Sequence, residues 1–308
     1  MRINGLFKRR RLRGLAVLTL LLALWTLTDV AYAQQTYKSR TKSNFLWSAK
    51  KGKSTIYLLG SIHLLPRELE ALDKAIEAGY SDSKIIVFET NIDSLSDPAF
   101  EAKVTNLGLL PPGQTLEQLV SKQTYGLLQQ KVNELGLQVE IFNQFKPWLC
   151  ALTLTSMELQ KLGFNPDYGI DKHFFDRAKR DGKEMRFLET TDEQLDLFTE
   201  MSREEEDSFL AKVLQELDTT QVKVVDMINA WKSGDSDKLA SMVKVEFEGY
   251  PKIYARMLVE RNQKWVKHIE DLSGQDGNSL VVVGAAHLVG DDSILELLKK
   301  KGFAVEHR

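Results

Sequence analysis

A chain of 308 residues in which 43% of side chains are hydrophobic and 27% charged can bury one large core or two modest ones. Its single cysteine, Cys150, excludes an internal disulfide, a CxxC redox motif and a cysteine zinc site. With 41 Lys and Arg against 43 Asp and Glu, it lacks the basic excess of a nucleic-acid binder.

The amino terminus has the grammar of an export signal. "KRRRLR" is a basic region, "LAVLTLLLALW" an apolar one, and Ala31-Tyr32-Ala33 the small-residue pattern that signal peptidase accepts, so residues 1–33 are expected to leave by cleavage after Ala33. The alternative is an uncleaved anchor, which would be the only membrane contact; Leu15 to Val30 is somewhat shorter than the ~20 apolar residues of a spanning helix. Cleavage removes six basic residues and one acidic one, leaving 35 basic against 42 acidic groups, a balance of −7. A periplasmic or secreted protein is expected. Residues 34–43 are polar and read as a flexible tether to a single domain over 44–308.

"NFLWSAK", "KGK" and "STIYLLG" predict strand, turn and strand. Leu69, Leu72, Ala75 and Ile76 have helical spacing within 67–79, and "SKIIVFE" comes next as a short apolar run ending at Glu89, completing a strand–helix–strand unit. From about 97 to 182 the pattern is helical. Cys150 falls on an apolar helical stretch as a small core residue, and Asp171 in "YGIDKHFFDRA" reads as a helix N-cap. "EMRFLE" is another brief apolar run, ending at Glu189, and 191–272 is again helical. "LVVVG", "DSILELLKKKG" and "FAVEHR" close the chain as strand, helix and strand. The expected fold is α/β, with a central, mostly parallel sheet built from both ends of the chain and large helical insertions at about 97–182 and 191–272.

Two apolar runs end alike: "TIYLLGSIH" in Gly60 and His63, "SLVVVGAAH" in Gly284 and His287. Among five histidines and 19 glycines, chance puts a glycine three positions before a histidine about 0.3 times. Ligands of open parallel sheets gather beyond the carboxyl ends of the strands. His63, Glu89, Glu189 and His287 stand just beyond the apolar runs, and they would share one rim if the strands are neighbours. Two imidazoles and a carboxylate suit a first-row divalent cation, with no choice among manganese, cobalt, zinc and iron. A metal-free site would use one histidine as general base, oriented by a glutamate. Capping roles compete: Glu89 could sit on backbone amides, and Glu189 lies beside the capping residues of "ETTDEQ". Arg261 could clamp an oxyanion or a carboxylate, or simply stack on Trp265, four residues on.

These stretches, together with "KPWLCAL", "GFNPDYGIDKHFFDRAK", "FLETTDEQL" and "MLVERNQKW", resemble the TraB/PrgY/GumN family in family order across the mature chain. Relatives of that family include the Tiki metalloproteases and, more distantly, erythromycin-esterase and ChaN-like proteins, so the resemblance implies their α/β fold. It also implies a divalent-metal peptidase site of His63, His287 and Glu89, with Glu189, Arg261 and Asn262 at further family positions. The function expected is an exported, metal-dependent hydrolase of amide or ester bonds, acting on a peptide or small-molecule substrate. The alternative from another class is a non-catalytic periplasmic binding protein for a peptide, haem or a signal molecule.

Overall fold

A computed structural model of the chain describes residues 44–66 and 72–308; the export segment, the tether and the first part of the helix expected over 67–79 lie outside the described residues. β1 (Leu46–Lys50) and β2 (Thr55–Ser61) form an antiparallel hairpin with Lys50 opposite Thr55. α1 runs over Lys74–Asp82. It continues past the expected Gly79, and its start is set by the Asp73 carboxylate, which accepts the Ala75 N–H at 2.7 Å. β3 (Ser83–Phe88) begins directly after it, β4 (Glu184–Phe187) and β5 (Asn278–Gly284) come after helical sections, and β6 (Ala304–His307) closes the chain.

The described strands pair in the order β4-β3-β5-β2-β1-β6. β2, β5, β3 and β4 run parallel, and β1 is antiparallel to both its neighbours, so the sheet is mixed but mostly parallel. β2, α1 and β3 do form a crossover, yet its two strands do not touch. β5 fills the place between them, with Gly60 opposite Val283 on one side and Phe88 opposite Val282 on the other. The reason is apolarity: Leu280, Val281, Val282 and Val283 are each exposed by 1% or less, and such a run needs cover on both faces and partners on both edges.

Between β3 and β4 lie α2 (Pro98–Gly108), α3 (Lys122–Glu134), α4 (Pro147–Lys161) and α5 (Ile170–Arg180). Between β4 and β5 lie α6 (Thr191–Thr199), α7 (Arg203–Glu216), α8 (Thr220–Lys232), α9 (Ser236–Glu246) and α10 (Glu260–Leu272), and α11 (Ile294–Lys300) joins β5 to β6. α4 packs on α7 across fully buried Trp148, Cys150 and Leu214. Cys150 is a core residue, and burial pushes its thiol pKa up, away from reactivity. No described helix is long and apolar enough to cross a membrane.

Trp231 of α8 helps tie the second helical section to the sheet by donating its Nε1–H to the Gly60 carbonyl at 2.6 Å, within the buried interior. Trp231→Phe keeps most of the apolar bulk but removes the donor, so unfolding stability should fall by about 1–3 kcal/mol in urea melts.

Candidate functional site

The carboxyl ends of β2, β5, β3 and β4 stand side by side, and the residues just beyond them face one another. His63, Glu89, Glu189 and His287 are all buried. Glu89 lies at the centre. Its Oε1 accepts the Gly284 N–H at 2.6 Å and stands 3.9 Å from His63 Nε2 and 4.0 Å from His287 Nε2. Its Oε2 accepts from Arg261 Nη2 at 2.8 Å.

Arg261 comes from α10, which continues a π-helical turn over Ala255–Val259. Such turns, with one residue more than an α turn, recur at functional sites. The guanidinium is 5% exposed and bridges the ends of β3 and β4: Nη2 donates to Glu189 Oε1 at 2.7 Å as well as to Glu89, and Nε donates to Glu189 Oε2 at 3.3 Å. Nη1 donates to the Met257 carbonyl at 3.1 Å and faces His287 Nε2 at 3.2 Å. The cation also lies 4.4 Å from the Trp265 ring, whose Nε1–H donates to Glu189 Oε2 at 3.0 Å. Burial opposes the arginine's charge, but Glu189 and Glu89 outweigh it and raise its pKa. Arg261 lies over the Trp265 ring, as the stacking reading has it, and at the same time grips two carboxylates of the protein itself. Every one of its nitrogens is engaged, so it acts as a cross-link before it can act as an oxyanion clamp.

The two imidazoles are oriented alike by different partners. Asn262 Nδ2 donates to the Asp292 carbonyl at 2.8 Å, which leaves its Oδ1 to accept from His287 Nδ1 at 2.6 Å. The proton of neutral His287 is thereby assigned to Nδ1, and Nε2 carries the lone pair. His63 Nδ1 stands 3.0 Å from Asp171 Oδ2, and its Nε2 is buried without a hydrogen-bond partner among the described residues. Burial pushes the His63 imidazole toward its neutral form, but Asp171 and then Glu89 outweigh it, so its pKa is raised. For His287, burial, Arg261 and His63 all act together and hold the pKa well below the usual value.

Asp171 is therefore not the N-cap expected from the sequence. α5 is capped by Gly169, and Asp171 lies in the first turn with its side chain turned to His63. Gly169 makes this possible by close approach, since a Cβ there would stand 2.5 Å from the His63 carbonyl oxygen. The spacing "GID" before a helix carried no sign of this pairing, because the partner lies more than a hundred residues away. Glu189 caps nothing. Thr190 and Glu193 form a capping box of their own, with Thr190 Oγ1 accepting the Glu193 N–H at 3.1 Å and Glu193 Oε2 the Thr190 N–H at 2.8 Å, so Glu189 is free for Arg261. His268 is exposed on α10, and His307 stacks on Trp47, its Nε2 2.8 Å from the Asn44 carbonyl.

A divalent cation can be tested against this arrangement. Both histidines present Nε2 toward one Glu89 oxygen, the lone pair of His63 has no other partner among the described residues, and a Cβ on Gly284 would stand 3.0 Å from His63 Nε2 and 3.3 Å from Glu89 Oε1. The glycine keeps that space clear. Donor types and tautomers fit a first-row ion. Among the described residues no three such groups stand close enough to hold a metal as placed. His63 and His287 would hold such an ion through Nε2, beside Glu89 Oε1, once Arg261 Nη1 gives up its contact with His287 Nε2.

Residues 45–307 match the model of the TraB/PrgY/gumN family. The chain belongs to this family. Among similar proteins, the uncharacterized protein YbaP of Escherichia coli K12 is 23% identical over 276 residues, covering 88% of this chain and all of YbaP. Metalloprotease TIKI2 of Danio rerio is 21% identical over 322 residues, and metalloprotease TIKI1 of Homo sapiens 20% identical over 319; each alignment covers 86% of this chain. The chain spans about three-fifths of the length of those two, 61% and 62% respectively. No solved structure matches it.

In this member of the TraB/PrgY/gumN family, removing Arg261 leaves Glu89 and Glu189 buried without their cation. Arg261→Ala should lose about 3–5 kcal/mol in denaturant titrations, and Glu189→Gln added to it should recover part of that loss through a favourable coupling term.

Proposed function

We propose that this protein is an exported hydrolase of peptide bonds that works with a divalent cation held by His63 and His287, with Glu89 either completing its shell or acting as general base. The observation that carries the reading is the convergence of two imidazole Nε2 atoms on one carboxylate oxygen, each ring fixed through Nδ1 by an oxygen acceptor. The metalloprotease names of the Tiki relatives support it at a distance.

A cation of the manganese, iron, cobalt or zinc class supplies Lewis-acid polarisation of the scissile carbonyl and a lowered pKa for the water beside it. The chain does the rest. Asp171 and Asn262 hold the rings so that both Nε2 atoms stay directed at the centre. Where the histidines alone hold the cation, Glu89, positioned by the Gly284 N–H and Arg261, would take a proton from the attacking water and return it to the leaving amine nitrogen as the carbon–nitrogen bond breaks. Arg261 and Glu189 position Glu89. A metal-free reading is favoured by one contact, Arg261 Nη1 on His287 Nε2; His63, oriented by Asp171, would then be the general base.

Elemental analysis of the purified protein should find one divalent ion per chain, and chelation should abolish cleavage in a peptide and ester panel. His63→Ala and His287→Ala should each lower kcat/KM by at least ~100-fold with the fold intact by circular dichroism, while Asp171→Asn weakens metal affinity by about 10–100-fold. Activity without metal that still needs His63 would select the metal-free reading. Activity indifferent to both histidines removes the hydrolase reading. For export, protein recovered from the periplasm should begin at Gln34 by amino-terminal sequencing.

A further inference from the structure

The histidine rim opens into a pocket that the chemistry above leaves unused. His63, Arg261, Gly284 and His287 line one part of it, and Phe209, Val224, Met227, Leu239, Phe247 and Met257 line the rest; its volume is about 930 Å³ including the open mouth. The enclosed part is about 50 Å³, room for a few water molecules or for one side chain.

The charge pattern of the wall is selective. Away from the rim, the charged residue of the lining is Lys212, and its ammonium is already spent: Nζ lies 2.8 Å from Glu246 Oε1 and is hydrogen-bonded to Glu216. Two carboxylates against it leave no net positive charge to attract an anionic group. The buried Lys223, 3.7 Å from Glu216, brings the cluster to two ammonium groups against two carboxylates, so a cationic group finds no net negative charge either. What remains is apolar surface, including the flexible thioethers of Met227 and Met257, which adapt to differently shaped apolar guests.

We propose that this cavity is a specificity pocket that takes a bulky, uncharged side chain of the Leu, Met or Phe type from a peptide whose scissile bond lies at the histidine rim. The proposal rests on the hydrolase reading for the position of that bond, but the pocket's preference is a binding property and can be measured without turnover. A charged side chain entering here would be desolvated without a partner, whereas Ala would leave the wall unfilled. Each added methylene in an apolar pocket discriminates by about 10-fold or more, so Leu should be well separated from Ala.

The test uses end-blocked tetrapeptides that differ at one position, carrying Ala, Leu, Phe, Asp or Lys, titrated calorimetrically into the purified protein and into its His63→Ala variant, which removes turnover as a confounder. Leu and Phe peptides should bind at least ~10-fold more tightly than Ala, and Asp and Lys no more tightly than Ala, in both proteins. Met227→Glu places a carboxylate on the wall at a half-buried position; it should weaken Leu binding ~10-fold and reverse the order of Leu and Lys. Equal affinity across the panel, no binding of any peptide, a preference for Asp or Lys in the wild type, or a Met227→Glu variant with unchanged order would each overturn the pocket assignment. Cleavage lost with the Leu and Phe preference intact would sink the hydrolase reading alone, and cleavage without side-chain preference would sink the pocket alone.

Discussion

A guanidinium keeps its charge even when only 5% exposed, so burying it must be offset by partners, and two carboxylates hold Arg261. Those carboxylates end two adjacent strands, β3 and β4, and would repel each other without the arginine between them. The cross-link thus joins the sheet to α10. It also dictates where Glu89 can point, because one oxygen is taken by Arg261 and the other is left to the Gly284 N–H and the space between the imidazoles. Breaking this bridge would release a strand end, a helix and the central carboxylate together.

Around that bridge the polar groups are arranged so that the inner ones are aimed by outer ones. Asn262 takes its orientation from a backbone carbonyl and passes it to His287, and Asp171 performs the same service for His63 from the start of α5. The two rings follow the neighbouring strands β2 and β5 but draw support from different helical sections, one preceding β4 and one after it. The helical sections therefore supply the residues that orient the sheet's histidines as well as the apolar wall beside them. Glycines at 169 and 284 serve this crowding, each standing where a Cβ would strike a histidine.

Much of the architecture was legible because its signals are local. A run such as "LVVV" without polar alternation declares a strand covered on both faces, and an apolar run broken by glycine with a histidine soon after declares where the strand ends. Glu89 and Glu189 were visible as the residues closing two such runs. Their partners were not, since capping and ion pairing use the same residue types. Thr190 with Glu193 satisfied the cap and left Glu189 for Arg261.

By itself, then, the order of residues determined strands, helices and the kinds of side chain that finish each strand, because backbone periodicity and apolar runs are set by neighbours in sequence. Only the tertiary structure decided that β5 enters between β2 and β3, that Asp171 turns from helix capping to His63, and that all the nitrogens of Arg261 are engaged. Those outcomes depend on which buried groups find a complementary charge or hydrogen-bond acceptor after distant segments meet. The free energy of that choice is spread over residues that lie in different elements of the chain, where no local pattern records it.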